Sequence, residues 1–110
     1  MINNRDKRKY HRIDSINVVN FTCHDRKHHL IGQGMGKTLN LSESGMLIET
    51  PMPIEPHHTL SVNIGINDSM IYFHGKAVYS KQTDVCGFHT GVHLLQTQKA
   101  GFFAFRNHLK

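Results

Sequence analysis

The clearest strand signal in the sequence is LSVNIGI, residues 60–66, in which apolar side chains alternate with small or polar ones. Successive side chains of a β-strand point to opposite faces of a sheet, so this pattern predicts a strand that buries Leu60, Val62 and Ile64. Turn-forming residues follow at positions 67–69 and predict a hairpin into a second strand over residues 70–80. This part of the chain therefore indicates antiparallel pairing.

Four further stretches carry strand chemistry. They are rich in β-branched, aromatic or alternating apolar residues and are separated by turn formers, and they cover residues 16–23, 30–41, 46–49 and 88–94. Gly32, Gly34 and Gly36 leave one face of a strand without side chains, so that strand can bend sharply or lie against another backbone. Six short strands favour a small antiparallel barrel, because closure removes the exposed edges of a sheet.

The period of the apolar residues changes near the C-terminus. Phe102, Phe105 and Leu109 have the spacing of one helical face, and Thr97 is a candidate N-cap, which predicts an α-helix over about residues 97–109. The predicted fold class is thus all-β with a terminal helix, a six-stranded antiparallel β-barrel capped by the C-terminal helix.

The charge distribution divides the chain into an arm and a body. The net charge is +5, and residues 1–12 hold five of the 13 basic side chains but one of the eight acidic ones. We therefore expect a flexible basic arm over residues 1–13 and a single barrel domain over residues 14–110. No apolar run resembles a signal peptide or a membrane span, and Cys23 and Cys86 suit reduced thiols, so the expected location is cytoplasmic, without membrane insertion.

Two short motifs point to a function. The arm contains Arg8-Lys9-Tyr10-His11-Arg12, with two guanidinium groups four residues apart, and the chain continues later through Asn40-Leu41-Ser42-Glu43-Ser44-Gly45. These residues resemble the RxxxR and [DN]xSxxG signatures of the PilZ domain family, in the family's order. The resemblance covers essentially the whole chain, and residues 91–94 look like the family's closing strand, although Leu94 stands where an aromatic residue is more usual.

The resemblance implies a PilZ-like barrel that binds the bacterial second messenger cyclic di-GMP between the arm and the motif of residues 40–45. It assigns ligand binding to five residues, which are Arg8, Arg12, Asn40, Ser42 and Gly45. The chemistry agrees, because the planar fork of arginine pairs with phosphate and with the O6 and N7 edge of guanine. Lys7 and Lys9 are possible auxiliary residues that add long-range attraction.

The mechanism expected from this resemblance is a switch. Cyclic di-GMP orders the arm, and an unidentified downstream protein recognises the new surface, with the receptor acting as a monomer or a homodimer. We expect no cofactor, no metal site and no enzymatic activity, because no nucleophile with a base, no paired carboxylates and no ligand cluster emerge from the sequence. The segment of residues 32–38 misses the phosphate-binding loop of nucleotide hydrolases by one position.

Two other functions remain open at this stage. One is a PilZ-like adaptor that contacts proteins without sensing the nucleotide. The other is a barrel that binds single-stranded nucleic acid, for which only Tyr10, Tyr72 and Tyr79 are left as stacking candidates, since Phe21, Phe73 and Phe88 follow inward-facing patterns. The motifs favour the messenger receptor over both, so no nucleic-acid partner is expected.

Overall fold

The architecture is a closed antiparallel barrel in a computed structural model that describes residues 12–13, 16–66 and 69–95. The strands are β1 (Arg12–Ile13), β2 (Asn17–His24), β3 (Leu30–Ser42), β4 (Gly45–Thr50), β5 (Thr59–Ile66), β6 (Ser69–Gln82) and β7 (Phe88–Leu94). Their order in the sheet is β1-β3-β2-β5-β6-β7-β4, and β4 also pairs with β3. That last pairing closes six strands into a ring and leaves β1 as a short addition alongside β3. The predicted six-stranded antiparallel barrel is confirmed.

The core fills the barrel with the alternate residues that the sequence pattern selects. Leu60, Val62 and Ile64 of β5 are buried, and Phe73 of β6 is fully enclosed. On β7 the inward positions are Thr90, Val92 and Leu94. Each enclosed Val, Leu, Ile or Phe side chain contributes about 1.5–3 kcal/mol through removal of its surface from water, so the interior is the main source of stability.

The run of alternating glycines in β3 lies on the inward face, where the barrel wall is crowded. A Cβ at Gly34 would stand 3.3 Å from the ring of Phe21, and one at Gly36 would collide with the carbonyl oxygen of Glu49 on β4. The prediction that this strand lies against another backbone therefore holds at Gly36. The absence of a side chain there allows β3 and β4 to approach each other.

Two parts of the sequence-based picture concern the ends of the chain. The predicted helix over residues 97–109 and most of the arm lie outside the described residues, and both stay predictions. Within the described ranges, no helix has the length and apolar character needed to cross a bilayer. Cys23 is buried, Cys86 is exposed, and both are free thiols.

Candidate functional site

The hairpin between β3 and β4 carries the three barrel residues that the motif singles out. Asn40 and Ser42 belong to the end of β3, and Gly45 begins β4. The turn itself contains only residues 43–44, so the strand predicted over residues 30–41 extends one residue further, to Ser42. Strand pairing explains the difference, because Asn40 still pairs with Leu47 across the hairpin.

The hydroxyl group of Ser42 holds this hairpin together. It accepts hydrogen bonds from the backbone N–H groups of Ser44 (3.4 Å) and Gly45 (3.2 Å) and donates to the carbonyl oxygen of Gly45 (3.3 Å). A Cβ at Gly45 would stand 3.0 Å from the carbonyl oxygen of Val92, so glycine suits this position because β7 passes close by. The N–H of Leu94 donates to the carbonyl of Ser44 at 2.9 Å and joins β7 to the turn.

A cleft of about 420 Å³ opens beside this hairpin on the outer face of β3, β4, β7 and β6, and Asn40, Ser42 and Gly45 all line it. The cleft extends across three strands of the sheet. Leu47 on β4 pairs with Gly91 on β7, and Gly91 pairs with Tyr79 on β6. The amide of Asn40 and the hydroxyl of Ser42 therefore lie at the hairpin side of the cleft, and apolar and aromatic side chains of β6 lie at the opposite side.

Tyr79 joins this cleft because of a β-bulge that the sequence pattern did not reveal. The register between β6 and β7 shifts between Ala77 and Tyr79. As a result Val78 and Tyr79 are both exposed, whereas strict alternation would turn Tyr79 inward with Ala77. The ring of Tyr79 lies directly over Gly91, where a Cβ would collide with it. Two signals were available in the sequence: Tyr79 was left as a stacking candidate, and Gly91 leaves an outward-facing position of β7 without a side chain.

The arm approaches the hairpin through backbone pairing. Arg12 pairs with Ser42, and Ile13 pairs with Leu41. The backbone of the second arginine of the RxxxR motif is thus adjacent to the serine of the second motif. Arg8, with Lys7 and Lys9, lies outside the described residues.

Among the residues that the structure describes, no acidic side chain lines the cleft, and His93 adds an imidazole at its β7 edge. Neutral and basic groups of this kind suit an anionic ligand that also carries hydrogen-bonding edges. Among the described residues, no group of three or more histidine, cysteine or carboxylate side chains is arranged to hold a metal ion. Outside the cleft, His89 stands 3.9 Å from the carboxylate of Glu49.

Comparison with known families agrees with this arrangement. The model of the PilZ domain family matches residues 6–105, which include both motifs. The chain belongs to the PilZ domain family. PilZ domains form a family of cyclic di-GMP receptors; they are regulatory binding domains, and no catalytic family is indicated for this chain. The resemblance inferred from the motifs is therefore confirmed at the level of the family.

Solved structures show the same fold at low sequence identity. The PilZ domain of CeSA from a cellulose synthesizing bacterium is similar with a TM-score of 0.56 and 14% identity, over 90% of this chain and 95% of that one. The Bacillus subtilis inhibitor of motility (MotI/DgrA) is similar with a TM-score of 0.62 and 12% identity, over 94% of this chain. This PilZ domain spans about half of the inhibitor, at 51% of its length. No curated protein matches the chain.

Proposed function

We propose that this PilZ domain binds cyclic di-GMP in the cleft beside the β3–β4 hairpin, with Arg8 and Arg12 supplied by the arm. The observation that carries the proposal is the backbone pairing of Arg12 with Ser42, which joins the two motifs. Because Arg8 precedes Arg12 by one short segment, an arm that continues from this pairing can bring both guanidinium groups to a ligand in the cleft.

The chemistry of the cleft matches the parts of the ligand. Cyclic di-GMP has two phosphates and two guanines, and arginine can pair with either by a bidentate contact. The side-chain amide of Asn40 donates and accepts hydrogen bonds, as a guanine edge requires. The exposed ring of Tyr79 offers a face for base stacking, which contributes about 1–3 kcal/mol per base in proteins that bind single-stranded nucleic acid.

Ser42 and Gly45 have a positioning role in this proposal. The donor and acceptor contacts of the Ser42 hydroxyl are made within the hairpin, so the side chain maintains the shape of the cleft edge. Gly45 lets β7 pass close to the hairpin and keeps the same edge open. We therefore expect changes at these two residues to reduce binding through the geometry of the hairpin.

Binding would also act as the signal. The part of the free arm that precedes the Arg12–Ile13 pairing is expected to be flexible from its composition, and a ligand held by Arg8 and Arg12 would order it across the hairpin. A downstream protein then recognises the ordered arm. The similar structures are an inhibitor of motility and a PilZ domain from a cellulose synthesizing bacterium, so components of motility and of polysaccharide synthesis are the first partners to test.

Isothermal titration calorimetry with cyclic di-GMP tests the assignment of the arm. Arg8→Ala or Arg12→Ala should weaken binding by roughly 2–3 kcal/mol, or about 30- to 150-fold, since each removes charge-assisted hydrogen bonds. The melting temperature of the free protein should stay nearly unchanged. Arg26→Ala is the matched control, because it removes the same charge from the exposed β2–β3 turn, away from the cleft lining.

Equal losses in all three variants would mean that the arginines act only through net charge, and parental affinity in Arg8→Ala or Arg12→Ala would refute the arm's role. A salt-titrated competition with single-stranded DNA separates the nucleic-acid alternative, which requires the polynucleotide to displace cyclic di-GMP. An absence of any heat with cyclic di-GMP would leave the adaptor function as the better explanation.

A further inference from the structure

A second cleft lies on the outer face of β2, β5 and β6, separate from the lining of the hairpin cleft. Its volume is about 440 Å³. The polar groups that line it are three imidazoles, one ammonium group and two hydroxyls, from His24, His28, His74, Lys76, Thr59 and Ser61. No carboxylate is among the described residues that line it, and every titratable group in that part of the wall is a base.

Strand register brings these bases together from distant parts of the chain. His24 on β2 pairs with Thr59 on β5, and Thr59 pairs with Lys76 on β6. The adjacent pair is Ser61 with His74, whose hydroxyl oxygen and Nδ1 atom are 3.0 Å apart. The cleft is therefore built on the rigid wall of the barrel, with hydroxyl groups between the basic side chains.

His28 reaches the cleft from the β2–β3 turn with a left-handed backbone. Its φ angle is 68°, in the region that glycine adopts most readily and that asparagine, aspartate and histidine adopt more often than other residues. The N–H of His28 donates to the carbonyl of Asp25 at 3.0 Å, which holds the turn closed. The closed turn therefore places His28 at the wall of the cleft.

The surroundings of the cleft contain further bases and two acids. The other titratable groups on the neighbouring elements are Asp25, Arg26, Lys27 and His29 in the β2–β3 turn, Glu55, His57 and His58 before β5, and His93 beside Lys76 on β7. The carboxylate of Asp25 is engaged within its own turn, where it accepts from the backbone N–H groups of Lys27 (2.8 Å) and His29 (2.9 Å). Glu55 is exposed and does not line the cleft.

We propose that this cleft binds a tetrahedral oxyanion, a phosphate or sulfate group, and holds it more tightly as pH falls through the range in which histidines take up protons. A histidine side chain ordinarily gains its charge near pH 6.5, and a protonated imidazole has two N–H donors. Lys76 supplies an ammonium group with N–H donors, and the hydroxyl of Ser61 can donate to the anion when Nδ1 of His74 donates to Ser61. The hydroxyl of Thr59 donates to the carbonyl oxygen of His24 at 3.4 Å and lines the cleft as an acceptor. The site is independent of cyclic di-GMP.

Sulfate is the probe because it keeps both negative charges throughout the pH range of the experiment. Any change in its affinity with pH therefore comes from protonation of the protein. Its binding is followed by backbone amide NMR shifts at Thr59 and Gly75, at constant ionic strength set with chloride. We expect the Kd for sulfate to be about tenfold lower near pH 5.5 than near pH 8, because histidine as a residue type takes up its proton between these two pH values and a cationic cleft attracts the anion more strongly.

Two variants and one control decide whether the cleft is the site. His28→Asn and His74→Gln should each weaken sulfate binding about threefold or more near pH 5.5, and His28→Asn should keep or raise the melting temperature because asparagine tolerates the left-handed backbone. His89→Gln removes an imidazole that does not line the cleft and should bind sulfate like the parent. Parental affinity in both cleft variants, an equal Kd at the two pH values, or equal weakening in His89→Gln would overturn the proposal.

Discussion

A chain of hydroxyl groups inside the barrel makes a sharp prediction about Thr90, which is fully buried on β7. The hydroxyl of Thr50 donates to the carbonyl oxygen of Met52 at 2.7 Å, so its single proton is used. Thr90 must then donate to Thr50, at 3.1 Å, and Ser80 must donate to Thr90, at 2.8 Å. The oxygen of Ser80 accepts from the N–H of Ile54 at 3.2 Å, which completes the chain.

Thr90→Val keeps the size of the side chain and removes two hydrogen bonds from this network. A buried hydrogen bond contributes about 1 kcal/mol and an orphaned partner costs about 1–3 kcal/mol, so we expect the free energy of unfolding to fall by about 2 kcal/mol. Thr90→Ser is the control. It keeps the hydroxyl and loses one buried methyl group, at a cost of about 1 kcal/mol.

Equilibrium urea unfolding measures the free energy of unfolding of both variants, and far-UV circular dichroism is the signal because the chain has no tryptophan. The expected order of stability is parent, then Thr90→Ser, then Thr90→Val. In thermal unfolding, the melting temperature of the valine variant should lie about 8 °C below that of the parent. If Thr90→Val is as stable as the parent or more stable than Thr90→Ser, burial of apolar surface outweighs the hydroxyl chain and the reasoning is refuted.

Three further perturbations test separate features of the barrel. Gly36→Ala places a methyl group against a β4 carbonyl and should lower the free energy of unfolding by about 1–3 kcal/mol, seen as a lower urea midpoint; an unchanged midpoint would mean that the strands separate without cost. The pKa of Asp25 is lowered chiefly by the backbone N–H of His29, so its carboxylate stabilises the fold above its ordinary pKa, near 3.9, and this contribution is lost as pH falls below that value. Asp25→Asn should flatten acid unfolding in that window, and an identical acid profile would count against the contact. Burial raises the pKa of the Cys23 thiol, so iodoacetamide should label exposed Cys86 first by mass spectrometry, and equal labelling rates in the native protein would contradict this.

The strands were largely predictable because their signal is local. The alternation over residues 60–66 and 88–94 describes which side of a strand is apolar, and β7 has the predicted bounds, Phe88–Leu94. Errors occurred where pairing extends a strand beyond its apolar pattern, as at the β3–β4 hairpin, where β3 continues to Ser42 and β4 begins at Gly45. Pairing energy depends on the partner strand, and the partner is not written in the local pattern.

The sequence pointed to the motif residues of the candidate site but not to the other residues that line the cleft. Asn40, Ser42 and Gly45 line one cleft, and their part in ligand binding stays a prediction. Tyr79 was assigned no role there, because the bulge before it turns its ring to the outer face only when β6 pairs with β7. The histidine cleft was also missed, since His24 and His74 become neighbours through β5 and not through sequence spacing.

The amino-acid sequence by itself determined the class of the fold, the family of the chain and the identity of the motif residues, because periodicity and short motifs are properties of neighbouring positions. The tertiary structure alone decided which strands are adjacent, where Tyr79 points and which histidines meet. Closing the ring requires each strand to satisfy two partners at once, so register and bulges are set by contacts between residues far apart in the chain.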